Sequence, residues 1–401
     1  MKTMKMINLL LAVVFIAFNA TAQDSLQKSN EEKYRFTVTH DNPATPVKSQ
    51  SKSGTCWSFA ATSFVESELI RLGAGETDLS EMYFVNLAYR DKADRYIRYH
   101  GQSNYGPGGQ AHDVMNVIRK HGFVTEKEYP GLLAGEESHN HSELHAVLKG
   151  FLEAVLSSKS GKLSQVWKNA YGAILDTYLG PLPIQENNTD KKNARLDKKS
   201  GFNPDDYVEL TSYLHHPFYT WINLEIPDNW TYDLYYNIPL EELMAVMTGA
   251  LENGFTVCWD GDVSDKGFSH ANSVAILPEK DTASLDASLK EKWEKLSEKD
   301  KMAELYKFEK PGKEKAISPE MRQDAFDSHL ATDDHLMHFT GIALDQNGTR
   351  YFITKNSWGA NSNKTGGYLN ISESYARMNT IAIMIHKDAL PDFLKKKIAN
   401  K

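Results

Sequence analysis

The stretch PVKSQSKSGTCWSFAATSFVESELI, residues 46–70, puts one of only two cysteines directly before a tryptophan, behind a polar loop that contains Gly54. A structural cysteine takes an apolar neighbourhood or a disulfide partner. Cys56 instead follows Ser53, Gly54 and Thr55. The residues after it carry helical spacing, at Trp57, Ala60, Ala61, Phe64 and Val65, with Gly73 as a stop. That is the setting of a nucleophile at a helix N-terminus, where the positive end of the helix lowers a thiol's pKa.

A thiol attacks a carbonyl only as thiolate, so Cys56 needs an imidazole brought close by folding and a third polar group to orient that ring. The stretch DDHLMHFTGIALDQNGTRYFITKNSWG (333–359) supplies candidates for both. His335 and His338 fall on one predicted strand, and Asn356 lies just beyond the next. Alternation along a strand puts His335, Met337, Phe339 and Gly341 on one side and His338 on the other, so only one histidine serves Cys56. An Asn accepts the imidazole N–H and fixes the ring without adding charge. Gln50, six residues before Cys56, carries an amide that can donate to the oxyanion formed on attack, together with the Cys56 N–H. Spacing alone leaves it equally a solvated loop glutamine.

These residues carry a family resemblance. PVKSQSKSGTCWSFA (46–60) resembles the active-site segment of papain-like cysteine peptidases, KNSWG (355–359) their Asn motif, and GPGGQ (106–110) their paired-glycine segment. Within that family the chain is similar to the bleomycin hydrolase and aminopeptidase C group. Ser53 stands where papain has a disulfide cysteine, and Cys56 and His335 are 279 positions apart, as in that group with its large insertions. GGQAHDVMNVIRKHGFV (108–124) and GFTVCWDGDVSDKGFS (254–269) also resemble it. The resemblance spans most of residues 46–390 and is weakest over 131–200 and 279–320.

The resemblance implies an α+β, papain-like fold: a helical lobe, a β-rich lobe and helical insertions. It implies a catalytic triad of Cys56, His335 and Asn356, Gln50 at the oxyanion, Trp358 shielding the His–Asn hydrogen bond, and Gly108 and Gly109 along the substrate. It favours His335 over His338, because the family's catalytic His opens a strand and a small residue, here Gly341, follows six positions later. No metal or organic cofactor is implied. Peptides are the implied substrates, and the relatives' hexameric barrels imply a homo-oligomer. Relatives read the substrate's α-amine with a C-terminal carboxylate, which makes them aminopeptidases. Here the tail LPDFLKKKIANK (390–401) is shorter and basic. Aminopeptidase activity is therefore the expectation and an open-cleft endopeptidase the alternative. An idle papain-like binding scaffold is the alternative of another class, although it would have no need of all four polar residues.

Outside the site, Lys2 and Lys5 precede the apolar run 9–18 and the small residues Ala20 and Ala22. Residues 1–22 thus read as a secretory signal peptide, too short to span a bilayer, which leaves no membrane anchor once removed. Export to the periplasm or beyond a bacterial cell is expected. Removing Lys2 and Lys5 from 45 basic side chains leaves 43 against 53 acidic ones, a net charge of −10. That balance argues against a nucleic-acid partner. Residues 23–45 read as an extended arm and 46–401 as the peptidase domain, with insertions near 131–200 and 279–320.

Cys258, in the apolar run GFTVCWDG (254–261), reads as a small hydrophobe, so no disulfide with Cys56 is expected even in an oxidising compartment. Two apolar stripes, Leu144 to Val155 and Leu163 to Tyr178, predict a helical hairpin joined by SSKSGK (157–162). The Lys- and Glu-rich 279–316 reads as a solvated helical excursion. HFTGIAL (338–344), RYFITKN (350–356), YLNIS (368–372) and TIAIMIH (380–386) read as strands. His139, His141 and His145 fall in a segment that reads as solvent-facing. His141 and His145 share a helix face but no further ligand completes a metal site, so no metal is expected.

Overall fold

Helix α1 (Cys56–Arg71) is buried continuously from Trp57 to Leu69, including Ser58, Thr62, Ser63, Glu66 and Glu68. A helix of this kind has to be walled on every side. In the computed structural model, which describes residues 33–399 except 133–134, 160, 184–199, 281 and 283–286, two lobes supply the walls. The predicted signal peptide lies outside the described residues.

The first wall is helical: α2 (Glu81–Arg98), α3 (Ala111–His121) and the hairpin of α4 (Ser142–Leu156) and α5 (Val166–Leu179). Phe64 and Leu69 of α1 share one core with Phe84, Tyr89, Val114, Leu148, Leu152, Tyr171 and Leu175. The hairpin forms where its apolar stripes predict, and its inner face extends the lobe's core rather than decorating the surface.

The second wall is a mixed sheet. Its strands are β1 (Thr37–Asp41), β2 (Tyr207–Thr211), β3 (Thr220–Asn223), β4 (Leu234–Asn237), β5 (Val257–Gly261), β6 (Phe268–Ser269), β7 (Val274–Ala275), β8 (His335–Leu344), β9 (Arg350–Lys355), β10 (Tyr368–Ser372) and β11 (Thr380–His386). They run in the order β3-β4-β2-β11-β5-β8-β9-β10-β7-β6, with β1 added on β8. Part of the predicted arm is therefore a sheet strand. Gly341 explains itself here, because a Cβ on it would lie 2.2 Å from the His40 carbonyl oxygen of β1.

The far face of the sheet is covered by α6 (Leu240–Glu252), whose Leu243, Met247 and Leu251 pack with Trp259, Phe339, Phe352 and Ile383. Two exposed helices, α7 (Ala287–Lys295) and α8 (Glu298–Leu305), bury no residue and form the solvated excursion. Its base is tied down by Glu314, which accepts from the Leu277 amide at 2.8 Å and from the Ser372 hydroxyl at 2.6 Å. After α9 (Pro319–Asp327) and α10 (Glu373–Asn379), the described residues end in α11 (Asp392–Ala399). That last helix is docked into the β-lobe core by Leu394 and Ile398. Among the described residues no helix is long and apolar enough to cross a membrane.

A buried polar chain joins the lobes. Lys355 of β9 donates to Ser63 Oγ at 2.7 Å and to Thr45 Oγ1 at 3.0 Å. Ser63 in turn hydrogen-bonds His338 Nδ1 at 2.9 Å, and Thr45 donates to Glu66 at 2.5 Å. Each link satisfies a polar group that would otherwise be buried at a cost.

The docked tail has a measurable consequence. Leu394→Ala removes a fully buried side chain and should cost about 2–5 kcal/mol in urea unfolding. Leu330→Ala, at a side chain 73% exposed, should stay within about 0.5 kcal/mol.

Candidate active site

Cys56 opens α1, and part of it reaches solvent. The loop before it is rigid: Ser53 and Thr55 join hydroxyls at 2.6 Å, and Gly54 has a φ of 68°. A side chain there would be strained and would meet Pro107 at 2.9 Å. Trp57 Nε1 donates to the Pro107 carbonyl at 2.9 Å, which locks the GPGGQ segment against the start of the helix. Gly109 backs onto the Trp57 ring, which a Cβ would approach to 3.1 Å.

The Leu336 backbone acts on the Cys56 thiol, so the first residues of β8 lie beside the first residue of α1. His335 opens that strand. Its Nε2 meets Asn356 Oδ1 at 2.8 Å, which leaves Nδ1 as the nitrogen available to the thiol. The Trp358 ring lies 5.1 Å from the imidazole, inclined by 34°, and covers it. His338 is turned the other way, buried on Ser63 of α1, as strand alternation requires.

Gln50 is buried, and its backbone N–H donates to the Ser357 carbonyl at 2.8 Å. Its Oε1 accepts from the Ser357 hydroxyl at 2.6 Å. With the oxygen engaged, the amide Nε2 is the end left to donate to a substrate. Beside it, Asn356 Oδ1 also accepts from the Ser357 amide at 2.7 Å, and its Nδ2 donates to His270 Nδ1 at 3.3 Å. His270 continues to Ser362 at 2.7 Å and packs 4.8 Å from the Trp358 ring. It holds the asparagine amide in the orientation that presents oxygen to His335. The sequence reading missed His270. It directly follows GFTVCWDGDVSDKGFS, but nothing in its spacing tied it to Asn356.

Burial governs the charges here. It pushes the Cys56 thiol up to about 12, with Asp333, Asp228 and Asp260 adding to the rise and the Leu336 backbone opposing it. It pushes His335 down to about 4, with His270 adding and the Asn356 hydrogen bond opposing. Each shift is the cost of one charge created alone. Moving a proton from Sγ to a neighbouring imidazole would create thiolate and imidazolium together, and each charge would offset part of the other's cost.

One expectation about the histidine segment is overturned. His139 and His141 are buried, not solvent-facing, because Lys52 and this segment exchange backbone hydrogen bonds of 3.0 and 3.1 Å directly behind the Cys56 loop. The His141 and His145 rings lie 6.1 Å apart, and His145 Nε2 is shared with the Tyr89 hydroxyl at 3.2 Å.

Residues 34–171, which contain Gln50 and Cys56, match the model of the papain family cysteine proteases. Residues 301–401, which contain His335 and Asn356, match that of the peptidase C1-like family. Cysteine proteinase 1, mitochondrial, of Saccharomyces cerevisiae is 22% identical over 94% of this chain and 81% of its own length. Aminopeptidase C of Listeria innocua is 21% identical over 90% of this chain and 85% of its own. The chain belongs to the papain-like cysteine peptidases of the aminopeptidase C group. Its fold is also that of PepW from Lactobacillus rhamnosis, with a TM-score of 0.68 at 18% identity, covering 91% of this chain and 85% of that one. In this cysteine peptidase the fold draws together, from both lobes, the four polar residues singled out in the sequence.

Pairing of Cys56 with His335 would show as a change in thiol reactivity. In His335→Ala the thiol stands alone against burial and three carboxylates, so the pH midpoint of iodoacetamide alkylation should move upward toward about 12. The thiolate fraction at pH 7, and with it the alkylation rate, should fall at least about 100-fold.

Proposed function

We propose that this peptidase is an exported aminopeptidase that removes N-terminal residues from peptides through Cys56, His335 and Asn356. The observation that carries the triad is the 2.8 Å bond from His335 Nε2 to Asn356 Oδ1 beside a cysteine at a helix N-terminus. In this reading Cys56 Sγ adds to the scissile carbonyl as its proton passes to His335 Nδ1. Gln50 Nε2 and the Cys56 N–H hold the oxyanion. His335 then protonates the leaving amine, and water, deprotonated by the same imidazole, releases the acyl group from sulfur. Asn356 keeps the ring in one tautomer throughout, and Trp358 keeps water off the hydrogen bond that does so. Near-full-length similarity to an aminopeptidase C supports exopeptidase action, and the basic, apolar start of the chain supports export.

The docking of α11 into the β-lobe core favours a second reading, an endopeptidase whose cleft is left open. A dipeptide–fluorophore amide with a free α-amine, assayed beside its N-acetylated twin, separates the two. Cleavage of the free-amine substrate alone, lost in Cys56→Ala, supports the aminopeptidase. Equal cleavage of both supports the endopeptidase, and no Cys56-dependent cleavage of either sinks the triad. Gln50→Ala should lower kcat by about 100- to 1,000-fold while leaving KM nearly unchanged, as loss of one oxyanion donor does.

A further inference from the structure

Beside Cys56 lies a set of carboxylates for which the mechanism above has no use. Asp260 of β5 pairs across the sheet with Leu336, the residue after His335. Its neighbour at i−2, Cys258, packs into the helical core, so strand alternation turns Asp260 toward the start of α1 as well. Asp260 is only 3% exposed, and among the described residues neither of its oxygens receives a hydrogen bond from a donor. Its neighbour is the carboxylate of Asp333, two residues before His335, with which it can join only by sharing a proton. Gln110 Nε2 holds Asp333 from the other side at 3.0 Å.

The third member arrives from a different element. The loop 224–233 between β3 and β4 lays Asp228 over the glycine pair, where a Cβ on Gly108 would lie 1.7 Å from Asp228 Oδ2. Asn104 Nδ2 donates to Asp228 Oδ1 at 3.0 Å and fixes its direction. Lys92, the cation that acts on Asp228 and Asp333, has its Nζ engaged by the carbonyls of Gly106 and Gly108 at 3.0 and 2.5 Å.

This grouping is adverse to the nucleophile. All three aspartates act on the Cys56 thiol and hold its proton on. A buried carboxylate without a donor is costly as it stands, and a cation arriving with the substrate relieves both penalties. A substrate cleaved at its N-terminus always carries such a cation, the α-ammonium, two bonds from the carbonyl carbon that the thiol attacks. We propose that Asp228, Asp260 and Asp333 form a pocket that binds the substrate's α-ammonium group, so that the amine is read by side chains within the fold. The inference rests on the aminopeptidase reading. It makes Gly108 a residue kept small to admit Asp228, and it gives the 224–233 loop the task of closing one end of the cleft.

The test measures kcat/KM for the free-amine dipeptide–fluorophore and its N-acetyl twin with the full chain and with Asp228→Asn, Asp260→Asn and Asp333→Asn, each checked for folding by thermal melt. The ratio of free-amine to blocked activity should fall about 10- to 100-fold in the variants, as expected for loss of a charge-assisted hydrogen bond. If Asp260→Asn does not fold, Asp228→Asn, on a loop, decides. A wild type that prefers the free amine, with the preference intact in every folded variant, overturns the pocket and leaves the aminopeptidase standing. A wild type indifferent to acetylation removes the aminopeptidase reading first. A third arm uses an N-acetyl-Lys-containing substrate. Loss of its cleavage in Asp228→Asn, with free-amine cleavage unaffected, would assign the pocket to a substrate side chain and overturn the proposal.

Discussion

The hydrogen bond between Ser63 and His338 sets the register between the lobes. Ser63 lies seven residues into α1, about 10.5 Å from Cys56 along the helix axis. His338 lies three residues into β8, about 10 Å from His335 along the strand. The two elements run in the same sense from that shared origin, since the Leu336 backbone acts on the Cys56 thiol and His338 meets Ser63. Matching the two lengths brings the first residue of the strand level with the first residue of the helix. Lys355 and Thr45 brace the contact from a second strand and from the entering chain. A slip of one helical residue would move the thiol by about 1.5 Å along the axis and 100° around it.

Given that register, the site is a balance of desolvation against pairing. The thiol and the imidazole are each reluctant to ionise alone, so in the proposed mechanism they would form a nucleophile only in concert. Asn356 contributes without charge, so it orients the ring without adding to the anions already present. His270 and Ser357 hold that amide from both ends, and the chain of small constraints runs outward until it reaches ordinary surface residues such as Ser362.

What could be read from the sequence depended on how far the relevant contacts reach along the chain. Cys56 at a helix start, His335 at a strand start and Asn356 just past β9 were legible because each depends on its immediate neighbours. The hairpin of α4 and α5 was legible because its apolar stripes are uninterrupted. Helix α2 was not, since Arg90, Asp91, Lys92, Asp94 and Arg95 break the apolar pattern. They find partners elsewhere instead, as in Arg90–Asp176 and Lys168–Asp94 at 2.7 and 2.6 Å. Strands β3 and β4 are four residues each, too short for a period of two to stand out. Asp260 sits near the end of the apolar run GFTVCWDG, and only pairing with Leu336 reveals it as buried beside the thiol. His139 and His141 look solvated among polar neighbours until backbone bonds to Lys52 fold them under the loop.

Neither cysteine is spent on a disulfide. Cys258 fills a core position on β5, Cys56 is at the cleft, and the place where a disulfide would brace the nucleophile loop is taken by the Ser53–Thr55 hydroxyl pair and the Gly54–Pro107 contact. The loop's rigidity therefore comes from hydrogen bonds and packing, which thiol reagents do not touch. A strong reductant can keep Cys56 from oxidising without breaking a bond that holds its loop.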